Sequence, residues 1–316
     1  MRAVWSFWSK PFSAFKGRIW REPLHHLLAW GLSYRLAAEH YPETVLITDR
    51  QGEALLVDRL GLPFTHVCTD LEQLADVECG WWALGKLLAY SLQDRPFVHL
   101  DTDVFLWKRL PQRLEEAGVF SQCPEDHSLD EWSSPVGVEA AFARHALELP
   151  AEWQWSRSRP GRGFREENCG ILGGNRTDFI RYYANLGLDW VRNPAHAAAW
   201  SELPDKSGYN MIIEQFLLAA CVDYHRFHPT SAYRGIRIQG LFDSFGEAFN
   251  PRATARVGFT HLMGDAKTNE FVTQRLERRM LQEDPDFYRH CVRLSNSGPP
   301  TGVARSISVP ATGFAF

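Results

Sequence analysis

Phe97-Val98-His99-Leu100-Asp101-Thr102-Asp103-Val104-Phe105 sets an apolar run directly before two carboxylates one residue apart. Short apolar runs of this kind read as strands buried on both faces. Residues i and i+2 of an extended chain share a face. Asp101 and Asp103 therefore converge if the chain stays extended or turns just past the strand. Two carboxylates gathered at the end of a buried strand repel each other, and a hard divalent cation between them relieves the repulsion. The plainer reading is an Asp that caps the next turn.

Upstream of this stretch the chain alternates between two periodicities. Ala3 to Trp8 reads as a strand ended by Lys10-Pro11, Thr44 to Asp49 as a buried strand, and Phe64 to Cys68 as a third. Between them, Pro23 to His40 and Gly52 to Leu60 carry apolar residues at helical spacing, and Trp81 to Gln93 is a further helix. Such alternation predicts a largely parallel sheet with helices on both faces. In sheets of this type ligands bind beyond the carboxyl ends of the strands, where Asp101 and Asp103 fall.

Downstream, residues 121–165 turn polar and read as an irregular insertion. Asn168 to Gly174 reads as a short strand, Tyr209 to Val222 as an apolar helix, and Arg256 to Leu262 as a late strand running into Gly264. Thr268 to Cys291 reads as a charged helical region. Residues 295–316, rich in Ser, Gly, Pro and Thr, read as a flexible tail. No internal repeat is visible. The expected organisation is one domain over residues 1–294, with halves 1–120 and 166–294 on either side of the insertion.

Composition narrows the function. The net charge of −4 lacks the basic excess of a general nucleic-acid binder. Twelve Trp and 20 Phe suit a heavy core or an aromatic-lined cleft. The six cysteines form no CxxC pair and suit reduced thiols, hence a cytoplasmic protein. The N-terminus does not read as a signal peptide, and no run approaches the ~20 apolar residues of a membrane-spanning helix.

A second motif lies late in the chain: His261-Leu262-Met263-Gly264-Asp265-Ala266-Lys267. An imidazole can ligate a metal, a Gly lets the backbone turn, and a Lys is a point charge suited to phosphate. Alone, this reads as well as a core His and a surface Lys. Taken with Asp101-Thr102-Asp103, it resembles glycosyltransferases of the GT-A fold, most closely family 8, which carry a DxD and a late HxxGxxK. The chain is also similar to a set of bacterial proteins sharing the DxD and His-Leu-x-Gly patterns. Asn168-Cys169-Gly170 matches the family's central Asn-x-Gly strand, and Glu214-Gln215 resembles its acidic residue followed by Gln.

The resemblance implies an α/β fold of GT-A type, a Rossmann-like mixed, mostly parallel sheet flanked by helices. It implies a nucleotide-sugar-binding half at 1–120 and an acceptor-binding, metal-completing half at 166–294. It also implies that Asp101, Asp103 and His261 hold Mn²⁺ (or Mg²⁺) and that Lys267, with Gly264 and Thr102 beside the motifs, meets the diphosphate of a nucleotide-diphosphate sugar. The acceptor would be a glycan, a lipid-linked sugar or a peptide, and family 8 enzymes retain anomeric configuration.

Further candidates are weighed residue by residue. Glu214 and Gln215 sit among apolar residues, where a carboxylate needs a polar partner, either substrate or a structural ion pair. Together with Asn168 they are the candidate catalytic residues. Lys86 could reach donor phosphate or the Asp pair, though a snorkelling surface Lys reads more simply. Trp5, Ser6 and Trp8 end the first strand, where GT-A enzymes seat the nucleotide base; core packing is an equal reading. Trp132, Trp153 and Trp155 could stack on an acceptor sugar. Arg157, Arg159, Arg162 and Arg165 could meet an anionic acceptor or form a solvated charge run. Two other functions compete: a haloacid-dehalogenase-like phosphatase with Asp101 as nucleophile, and a non-catalytic glycan-binding relative.

Overall fold

Nine strands carry the architecture of the computed structural model, which describes residues 1–14, 19–131, 133–159, 163–203 and 205–297. They are β1 (Arg2–Phe7), β2 (Thr44–Thr48), β3 (His66–Cys68), β4 (Phe97–Leu100), β5 (Val104–Leu106), β6 (Val119–Ser128), β7 (Gly163–Gly174), β8 (Ile238–Gly240) and β9 (Phe259–His261). Seven form one sheet in the order β3-β2-β1-β4-β7-β6-β8. Pairs β1–β2, β1–β4, β2–β3 and β6–β8 are parallel. β7 runs antiparallel to both neighbours, β4 and β6. The fold is a mixed, mostly parallel α/β sheet flanked by helices.

Side chains alternate across the sheet, so successive residues of one strand feed different cores. Val4 and Phe97 join the layer under the helices Ala83–Ser91, Thr177–Arg192 and Leu217–Phe227. Trp5 and Val98 join the opposite layer, under Pro23–Ala38, Glu270–Glu283 and Pro285–Asn296. Among the described residues no helix is long and apolar enough to cross a membrane.

Several expectations need correction. Residues 121–165 are not irregular: β6 runs on to Ser128, and helices Val136–Arg144 and Ala151–Ser158 follow. β6 pairs with β8 only at Val119 to Ser121, so beyond that point it is an edge strand. An edge tolerates the Pro124 that disguised it. Arg256 and Val257 end a helix, Pro251–Val257, rather than open a strand. The Asn250 side chain caps that helix, and Gly258 at φ 74° stops it in the left-handed region, so the late strand is only Phe259–His261. The helix expected over Tyr209 to Val222 contains a π-helical stretch, Ile212–Phe216. Trp132, Arg162 and residues 298–316 of the expected tail lie outside the described residues.

Candidate functional site

Past Leu100 the chain leaves the main sheet in a tight turn, with Val104 N–H donating to the Asp101 carbonyl at 3.0 Å. It then enters β5, which pairs antiparallel with β9 and sets His261 directly opposite Val104. The ladder continues past the strand ends, since Leu262 N–H donates to the Asp103 carbonyl at 3.0 Å. On the other side Asp101 N–H donates to the Gly170 carbonyl of β7 at 3.0 Å. The two motifs are therefore brought together by backbone pairing.

One ligand atom from each of Asp101, Asp103 and His261 lies within 4.8 Å of the others. His261 Nε2 stands 3.5 Å from Asp103 Oδ1. Its Nδ1 lies 2.7 Å from Gln122 Oε1, an acceptor, so Nδ1 carries the proton and Nε2 faces the carboxylates. Lys267 Nζ reaches Asp103 Oδ2 at 2.5 Å. It arrives through the short turn Gly264–Lys267, whose Gly264 has φ 52°. Asp103 is 2% exposed. Burial works against its charge, yet the Lys267 ammonium beside it outweighs burial and holds the carboxyl well below the usual carboxylate range.

Asp101 meets a second cation. Lys86 Nζ lies 2.9 Å from Asp101 Oδ1 and 2.8 Å from Glu214 Oε1, and donates to the Cys169 carbonyl at 3.1 Å. Lys86 is therefore no snorkelling surface side chain. Burial opposes its charge, but Asp101 and Glu214 outweigh burial and raise its pKa above the usual lysine value. Glu214 is fully buried in the π-helical stretch and also accepts from Tyr90 Oη at 2.8 Å. Burial pushes its carboxyl up from the usual value despite Lys86. A π-helical turn widens the helix locally, which suits a polar side chain inserted toward a neighbouring element.

The remaining candidates divide. Ser6 Oγ lies 2.9 Å from His99 Nε2, while His99 Nδ1 stands 4.0 Å from Asp101 Oδ1 without a hydrogen bond. Thr102 sits half-buried in the turn between the two Asp. Trp5 is wholly buried with its indole N–H donated to Ser33, and Trp8 packs against the helix bearing Lys86. Both pack as core residues. Gln215 is buried, with its amide turned to Met211. Trp153 is also core, donating to Glu139. Arg157, Arg159 and Arg165 pair with Glu139, Asp223 and Glu167, so each of these arginines already has an acid partner.

Asn168 donates to Glu125 and to Met263 Sδ, while its Oδ1 accepts from Gly170 N–H at 3.0 Å. Gly170 is required sterically: a Cβ there would lie 2.4 Å from His261 Nδ1 and 2.5 Å from Gln122 Oε1. Gln122 escaped the sequence reading because it occupies the register shift between Ser121 and Cys123, which no periodicity marks. Glu125 and His127 escaped for another reason. Their i, i+2 spacing was visible, but the segment did not read as a strand.

Fold and site define a mixed α/β protein with an Asp-Asp-His-Lys centre at the carboxyl ends of parallel strands. The chain belongs to DUF6734, a family of unknown function, whose model matches residues 1–294. No curated protein matches it. Among solved structures it is similar to the galactosyltransferase LgtC in complex with donor and acceptor sugar analogues. That match has 12% identity, covers 96% of this chain and 98% of that one, and has a TM-score of 0.41. An active-site mutant of LgtC follows at 11% identity, 92% and 100% coverage and TM-score 0.40. The apo form of mouse xyloside xylosyltransferase 1 has 12% identity, 85% and 98% coverage and TM-score 0.36.

Proposed function

We propose that this chain is a metal-dependent glycosyltransferase, acting as one catalytic domain over residues 1–294. It would move a sugar from a nucleotide-diphosphate donor to a glycan, lipid-linked or peptide acceptor. The observation that carries the proposal is the convergence of Asp101, Asp103 and His261, with Lys267 on Asp103.

The donor set fits a divalent cation. Two carboxylates and an imidazole suit Mn²⁺ or Mg²⁺, and Gln122 fixes the tautomer that leaves Nε2 free to ligate. When bound, the cation supplies Lewis-acid stabilisation to a departing diphosphate. The protein groups do the rest. Lys267 stands beside the cluster and offsets charge that builds on the leaving phosphate. Lys86 holds the Asp101 carboxylate in place from behind, and Glu214 and Tyr90 hold Lys86. Glu214 acts in this reading as a positioning residue, since burial keeps it from the acceptor.

The motif resemblance supports retention of anomeric configuration. The six cysteines stand as free thiols, which supports a cytoplasmic setting. The test is a panel of nucleotide sugars incubated with the full-length protein and Mn²⁺, with release of nucleoside diphosphate as the readout. Turnover of at least one donor, abolished in Asp103→Asn, is expected. No release from any donor, or release unaffected by Asp103→Asn, defeats the proposal.

A further inference from the structure

A second group of titratable side chains lies across Asn168 from the first. Glu125 and Glu166 are direct cross-strand partners on β6 and β7. His127 Nε2 lies 3.4 Å from Glu125 Oε2 and 3.2 Å from Glu166 Oε2. Like charges directly opposite on paired strands destabilise a sheet. Glu166 is only 1% exposed, and among the described residues neither of its oxygens accepts a well-formed hydrogen bond. An uncompensated buried carboxylate is costly.

The atoms that face inward are each backed by a partner. Glu125 Oε1 is taken by the Asn168 amide, leaving Oε2 directed to the group. His127 Nδ1 is 2.6 Å from Glu131 Oε2, leaving Nε2 directed to the same point. Phe164 stacks on the imidazole with ring centroids 5.3 Å apart. A carboxylate behind an imidazole, with the far nitrogen aimed at further carboxylates, is the arrangement that orients a metal-ligating histidine. Atoms about 2.1 Å from a shared tetrahedral centre lie about 3.4 Å apart, close to the two separations from His127 Nε2 to Glu125 and Glu166.

We propose that Glu125, His127 and Glu166 form a second metal site, separate from the Asp101/Asp103/His261 centre, that takes a dication of nitrogen- and oxygen-ligand preference such as Zn²⁺. The ligand atoms are Glu125 Oε2, His127 Nε2 and Glu166 Oε2, with Glu131 and Asn168 as the orienting partners. The other way to satisfy the group is a doubly protonated His127 set among Glu125, Glu131 and Glu166. That ring brings one positive charge to three carboxylates and faces both buried glutamates with a single nitrogen. A dication compensates more of the charge and engages both buried glutamates at once.

The inference stands apart from the proposed function and is tested without it. Full-length protein carrying Asp101→Ala and Asp103→Ala, stripped by chelation, is titrated with Zn²⁺ alone by calorimetry. One equivalent should bind, and Glu131→Gln should weaken it by about 10- to 100-fold. His127→Ala should abolish it while circular dichroism stays unchanged. If His127→Ala fails to fold, Glu131→Gln, at the exposed end of the group, decides. X-ray absorption should show one imidazole among oxygen ligands. The site is overturned if the doubly substituted chain binds no Zn²⁺, if neither variant alters binding, or if sulfur from the neighbouring Cys123 appears in the shell.

Discussion

At position 170 nothing larger than a hydrogen fits, because His261 and Gln122 close on the α-carbon from the far side of β7. Gly170→Ala should therefore push His261 off its line to Asp103. The expected cost is about 1–3 kcal/mol of stability, read as a fall in Tm, together with weaker Mn²⁺ binding. Wild-type Mn²⁺ affinity in a folded Gly170→Ala protein would contradict the geometry. Gln122→Leu is milder. It removes the acceptor that fixes the His261 tautomer and should cost about 10- to 100-fold in metal affinity with little change in fold. At this scale the residues that converge were legible and their supports were not. Asp101, Asp103, His261 and Lys267 announce themselves by spacing, whereas Gln122 acts from a bulge and Lys86 looks like any helix-surface lysine until Glu214 is placed above it.

The helix Ala83–Ser91 and the π-helical stretch Ile212–Phe216 meet through Lys86, Tyr90 and Glu214. Removing one partner of a buried pair strands the other charge. Lys86→Met should destabilise the fold by about 3–5 kcal/mol, measured by denaturant unfolding. The same change in a Glu214→Gln background should cost clearly less, because the stranded carboxylate is gone. Equal costs in both backgrounds would show that the pair is not coupled. The helix positions themselves were readable from apolar spacing. The π-helical widening was not, since it depends on a polar residue being drawn toward a tertiary partner. β6 was hidden by its own composition: Pro124, Glu125, Asp126 and His127 look like loop residues, yet a strand paired on one side only tolerates them.

Across the molecule, the site sits where the parallel block β3-β2-β1-β4 gives way to antiparallel β7. The parallel block follows from the strand–helix alternation of the first hundred residues and was legible as such. The reversal at β7 was not, because it is set by pairing between Leu100 and Ile171 across long sequence separation. That reversal brings Gly170, Asn168 and, through β6, Gln122 to the cluster, while the small β5–β9 ladder brings His261. The DxD turn thus works as a junction between two sheets, and a cation held there would stabilise both. The most direct measurement is calorimetric titration of full-length, chelator-stripped protein with the common nucleoside diphosphates, with and without Mn²⁺, alongside Asp103→Asn. The account predicts that at least one nucleoside diphosphate binds only when Mn²⁺ is present, and that Asp103→Asn loses this binding. Binding that is the same without the metal, or the absence of any binding with it, would contradict the account.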